Sequence, residues 1–160
     1  MDTKKIKDSM TKSLVTVRWD SPLKEARDLM LERGIRHLPV LGENGSLGGI
    51  LSDRDLQRAM EPGTTAFNRG AVAAEFMTWP VLTLEEGTPL VKAIEQMLSE
   101  KISSVVVTRG AERVGIITTE DMLHVLREML QSDSNDKLAI DLTYEPLWRE
   151  VLRGTSAVGL

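Results

Sequence analysis

The sequence predicts an α/β (α+β) chain in which two βαββα units pack sheet to sheet about a pseudo-twofold axis. Three observations lead there. The 160-residue chain matches itself at an offset of 67 residues. Each matching stretch passes through the same alternation of short apolar strands and amphipathic helices. Finally, 41% hydrophobic residues with only 4% aromatics demand a core of Val, Ile, Leu, Ala and Met. A unit of roughly 60 residues with a single three-stranded sheet leaves an apolar face uncovered, which a second unit closes.

The repeat is specific in its residues. Met10-Thr11 falls on Met77-Thr78, Thr16 on Thr83, Pro22-Leu23 on Pro89-Leu90, Ala26 on Ala93 and Ile35 on Ile102. Past the turn Gly42-Glu43-Asn44-Gly45 the offset drops to 66, so Gly49-Ile50 falls on Gly115-Ile116 and Asp55 on Asp121. The one-residue deletion lies in a turn, where length changes cost least.

In order along the first copy, Leu14–Val17 reads as a short strand. Ser21 then offers an N-cap, with Pro22 at the first helical position. Leu23, Ala26, Leu29 and Met30 form one apolar stripe of a helix that stops near Gly34. His37–Leu41 and Leu47–Leu51, joined through Asn44-Gly45, read as a hairpin, and a last helix runs from Asp53 to about Met60. The second copy repeats this with a helix from Pro89 to Ser99, strands Ser104–Thr108 and Arg113–Ile117 about the turn Arg109-Gly110, and a helix from Thr119. The expected organisation is a first domain at 4–61, a linker at 62–71, a second domain at 72–130 and an extension at 131–160. In that extension Leu147, Trp148, Val151 and Leu152 share one side of a possible short helix, suited to strap the chain or a dimer mate, or to dock another protein.

Composition narrows the function. A formal charge of −4 and few aromatics disfavour nucleic acid and anionic membranes as partners, since both depend on clustered cations or stacking platforms. The charge is uneven, with 12 basic and 10 acidic residues over 1–70 against 8 and 14 over 71–160. There is no cysteine, no apolar run near the ~20 residues that span a bilayer, and no signal-like start, so a cytoplasmic protein is expected. No Ser-His-Asp, H-E-x-x-H or P-loop pattern occurs, and His37 and His124 lack metal-ligand spacing, so neither catalysis nor a metal site is expected.

The most specific local feature is a strand-to-helix turn that occurs twice, Gly49-Ile50-Leu51-Ser52-Asp53-Arg54-Asp55 and Gly115-Ile116-Ile117-Thr118-Thr119-Glu120-Asp121. Ser52 with Asp55, and Thr118 with Asp121, have capping-box spacing. Structurally they need be no more than helix caps, and Met10, Met30, Met77, Met97 and Met122 no more than filling for the core or its interfaces.

Taken together, Met10-Thr11, the helix from Pro22, Gly34-Ile35-Arg36-His37-Leu38-Pro39-Val40 and Gly49 to Leu56 resemble a cystathionine beta-synthase (CBS) domain. Met77-Thr78, Ile102 to Val107 and Gly115 to Leu123 resemble it again. The resemblance covers about residues 4–130 as a tandem pair, or Bateman module. It implies the fold above and a regulatory module that binds an adenine nucleotide (AMP, ADP or ATP, alternatively S-adenosylmethionine or NAD) rather than an enzyme. It also implies assembly as a homodimer and output to an unidentified effector protein; the alternative is a dimerisation scaffold with empty clefts.

Carried over residue by residue, the resemblance puts ribose recognition on Ser52 and Asp55, and on Thr118 and Asp121. A carboxylate accepts hydrogen bonds from a vicinal diol, and the adjoining helix N-terminus offers free amides to phosphate. The adenine walls would come from Val15, Thr16, Val17, Ile35 and Pro39, or from Leu82, Thr83, Leu84 and Ile102. Copy one carries Arg54 where copy two has Glu120, and Arg36-His37 where copy two has Ser103-Ser104. A guanidinium suits a phosphate and a carboxylate repels it, so a nucleotide is expected to prefer the cleft with Ser52, Arg54 and Asp55. A divalent ion at Asp53-Arg54-Asp55 is disfavoured. Each cleft is expected to borrow from both copies, with its contributors left open.

Overall fold

The first helix of each repeat begins against a segment that belongs to the other repeat. In a computed structural model that describes residues 4–63, 65 and 69–132, the Leu23 amide donates to the Ala71 carbonyl at 2.9 Å, and the Leu90 amide donates to the Lys4 carbonyl at 2.8 Å. Ser21-Pro22 was expected to cap helix α1 (Leu23–Arg33) with Pro22 as its first residue. Instead Pro22 is itself the extended N-cap, because it bridges Val72 in antiparallel fashion. Pro89 does the same ahead of α3 (Leu90–Glu100), bridging Lys5. The exchanged segment satisfies a helix-start donor that a Ser or Thr side chain would otherwise serve.

Strands β1 (Val17–Arg18), β2 (His37–Leu41) and β3 (Leu47–Ser52) form one sheet in that order. Strands β4 (Thr83–Glu85), β5 (Ser104–Arg109) and β6 (Glu112–Thr118) form the other. In each sheet the first pair is parallel and the second is an antiparallel hairpin, with a register shift at the same place, Val40/Leu41 and Val107/Thr108. Helices α2 (Asp53–Ala59) and α4 (Thr119–Ser132) follow the hairpins. The first strand is shorter than the expected Leu14–Val17, since Leu14 and Val15 line a cleft instead of pairing. The chain divides into two compact units, Met1–Val125, which holds both sheets, and Leu126–Leu160, whose described residues are the end of α4. The expected tail helix at 137–160 lies outside the described residues.

The cores carry the same exchange. Val17, Leu23, Met30, Leu38, Val40 and Leu51 pack with Ala71 and Ala73 from the start of the second repeat. Leu90, Met97, Val105, Val107 and Ile117 pack with Ile6 and Met10 from the start of the first. Each arm then runs on along the sheet it has joined: Thr11 and Ile116 exchange both backbone hydrogen bonds, and so do Thr78 and Ile50. The repeating methionines are therefore packing residues, as expected. Met77 lies over Gly49 and Met10 over Gly115, two positions where a Cβ would collide with the arm.

Candidate functional site

Both strand-to-helix turns are capping boxes. The Asp55 carboxylate accepts from the Ser52 amide and hydroxyl, each at 2.7 Å, and the Asp55 amide donates back to Ser52 Oγ. Asp121 is held identically by Thr118, at 2.7 and 2.8 Å. In both cases Oδ2 is consumed by the cap and Oδ1 is left to neighbours. For Asp55 that neighbour is Arg58 Nη2, one turn along α2, and for Asp121 it is Thr11 Oγ1 at 3.4 Å. Asp55 is buried and lines a cavity, with its second oxygen held by Arg58.

That cavity, the Ser52 cleft, measures about 760 Å³, within the range of small-molecule sites. Ser52, Arg54, Asp55 and Arg58 line one side. The opposite side comes from the second repeat, through Val81, Leu82, Lys101, Ile102 and Ser103. Arm exchange helps deliver this wall, because Thr78 is tied to Ile50 and the Pro80, Val81 and Leu82 that follow it line the same cleft. Lys101 closes α3 in the left-handed region, φ 55°, where the equivalent residue of the first repeat is Gly34, φ 62°. A side-chain residue in this region costs about 1 kcal/mol relative to glycine, and here it is a lysine that lines the cleft.

The pseudo-equivalent Thr118 cleft is smaller, about 230 Å³, and has Thr118, Glu120 and Asp121 on one side with Val15, Ile35 and Pro39 on the other. Arg36 lies here, not with Ser52, and its Nη2 donates to Glu120 Oε2 at 3.3 Å. With side chains 57% and 61% exposed, that pair is solvent-screened and weak.

His37 lines both clefts. Its Nε2 lies 2.9 Å from Ser103 Oγ, and burial is the largest influence on the ring, holding its pKa below the ordinary histidine value; Asp53 and Asp55 oppose that shift, while Arg36 and Arg54 add to it.

The structure thus gathers Ser52, Arg54, Asp55, His37, Ile102 and Ser103 in one cleft, and Thr118, Asp121, Val15, Ile35, Arg36 and Pro39 in the other. Thr16 and Thr83 line neither. Thr83 is spent on β4, paired with Val106, and Val17 is in the first core. Arg58 and Lys101 were not anticipated. Arg58 had a readable signal, since it stands four residues after Arg54 and so shares its helix face. Among the described residues no cluster of His, Asp or Glu has metal-holding geometry, and no helix is long and apolar enough to cross a membrane.

Comparison with known proteins agrees with this architecture. The model of the CBS domain matches residues 4–62 and 72–128. The chain belongs to the CBS domain family. Paired CBS domains are regulatory ligand-binding modules. The CBS domain pair of protein MJ0100, solved with 5′-methylthioadenosine and S-adenosyl-L-methionine, superposes with a TM-score of 0.71 at 28% identity, covering 80% of this chain and 99% of that one. CBSX2 solved with AMP gives 0.64 at 25% identity, covering 78% and 97%. A homoserine O-acetyltransferase of Methanococcoides burtonii is 32% identical over 118 residues, which are 73% of this chain and 23% of that enzyme. The chain spans less than a quarter of that relative's length.

Proposed function

We propose that this CBS pair senses an adenine nucleotide of the AMP, ADP or ATP type in the Ser52 cleft. The observation that carries this reading is the meeting, in one cavity, of a buried carboxylate with Arg54, Arg58 and Lys101 and with aliphatic walls at Leu82 and Ile102. Ribose hydroxyls donate to Asp55, Arg58 turns from Asp55 to the phosphate, and the base lies between aliphatic side chains. The AMP bound by CBSX2 and the nucleosides bound by MJ0100 support an adenosine-type ligand.

Occupancy would bridge the two repeats and pass outward through a homodimer or an effector protein, to an extent set by the ligand's different affinities for the two states. The exposed stripe Val91, Ile94 and Leu98 on α3, 50%, 37% and 73% accessible, supports a dimer through the second repeat, because the first has only Leu31 so exposed on α1.

Thermal melts with AMP, ADP, ATP, S-adenosylmethionine and NAD test the reading. Stabilisation by the nucleotides at millimolar concentration is expected, and no response to any of the five would reject it. Asp55→Ala should weaken AMP binding by roughly 10- to 100-fold, the loss of hydrogen bonds to a charged group of about 1.5–3 kcal/mol.

A further inference from the structure

The two clefts are built from equivalent positions and differ in charge. Leu82 and Ile102 of the Ser52 cleft correspond through the repeat to Val15 and Ile35 of the Thr118 cleft, and Ser52 and Asp55 correspond to Thr118 and Asp121. The walls and the ribose acceptor are thus preserved. The cations are not. Arg54 is replaced by Glu120, Arg58 by His124 and Lys101 by Gly34. The Ser52 cleft has three cations against the two carboxylates Asp55 and Glu100, whereas the Thr118 cleft has Arg36 alone against Glu120 and Asp121.

Arg36 does not restore the balance. It is a single cation facing the two carboxylates Glu120 and Asp121, so a phosphate entering there would lie against a carboxylate in a cleft of net negative charge. The space points the same way, at about 230 Å³ against 760 Å³.

We propose that the Thr118 cleft is a second, chemically distinct site, which takes an adenosine derivative without a phosphate, neutral or positively charged at its 5′ end. The assignment rests on the adenosine reading of the Ser52 cleft. It makes the module a two-input device, in which phosphorylated and unphosphorylated adenosine compounds occupy different clefts of one chain.

Calorimetric titration with AMP, adenosine and 5′-amino-5′-deoxyadenosine tests it. The wild-type chain should bind one AMP in its tighter phase. Asp55→Ala, with only the Thr118 cleft intact, should bind adenosine and the amino compound at least tenfold more tightly than AMP. Glu120→Arg, a change at an exposed side chain that does not depend on Asp55→Ala folding, should raise the tight AMP stoichiometry from one to two. Two AMP molecules bound to wild type with affinities within threefold, or an Asp55→Ala protein that prefers AMP, overturns the assignment and leaves the Ser52 reading standing. Failure of all three compounds to bind wild type at millimolar concentration overturns both.

Discussion

His37 Nε2 and Ser103 Oγ stand 2.9 Å apart, one from each repeat, in a wall common to both clefts. Burial disfavours the imidazolium, so the folded chain takes up this proton at lower pH than the unfolded chain, whose histidine titrates near 6.5. The stabilising contribution of neutral His37 is therefore complete above about pH 6.5 and is lost as pH falls through the lower folded value. Wild type should lose more stability than His37→Gln between pH 7 and pH 5 in urea melts. Parallel losses would show that this imidazole is not the group concerned.

Ile6 lies near the start of the chain, where substitutions are usually tolerated, yet it is fully buried in the second core. Ile6→Ala should cost about 2–5 kcal/mol, as for a central core residue. A loss below about 0.5 kcal/mol in denaturant melts would mean that the arm does not dock in solution.

Gly49 and Gly115 face the exchanged arms with different obstacles. A Cβ at Gly49 would meet Met77 Sδ, the end of a flexible side chain, whereas at Gly115 it would lie 2.7 Å from the Thr11 carbonyl oxygen, which is backbone. Both alanine variants should be destabilised, by about 1–3 kcal/mol for such overpacking, and Gly115→Ala more than Gly49→Ala. The opposite order in thermal melts would place the greater rigidity at the Met77 arm.

Lys101 offers a trade between stability and binding. Lys101→Gly removes a left-handed side-chain residue at a helix end, φ 55°, and should stabilise the chain by about 0.5–1 kcal/mol. It also removes an ammonium from the Ser52 cleft, so AMP affinity should drop several-fold while adenosine affinity holds. A variant that is more stable and binds AMP unchanged would remove Lys101 from phosphate recognition.

Much of the fold was legible because periodicity and the self-match act locally. The Asn44-Gly45 turn, the Gly34 stop and both capping boxes fell where their residue types placed them. The exchange of arms was not legible, since a self-match says that Met10 and Met77 are equivalent but not which sheet each covers. The same gap misassigned Arg36: read as a neighbour of Ser52, it faces Glu120, because each cleft combines the turn of one repeat with the wall of the other. Lys101 was hidden for another reason, since nothing in a Glu-Lys-Ile stretch announces a left-handed residue where the first repeat has glycine.

The docking of residues 4–11 beside Leu90 and Ile116 bears on how the chain is made. The first arm to leave the ribosome must wait for about a hundred further residues, roughly 5–20 s at 5–20 residues per second, before its partners exist. The first core can close as soon as Ala71, Ala73 and Thr78 have emerged, while Ile6 and Met10 stay uncovered until β6 follows. Synthesis thus orders the assembly: the later half depends on residues 4–11 made well before it, and each repeat cut out at its own sequence boundaries would lose the arm that completes its core.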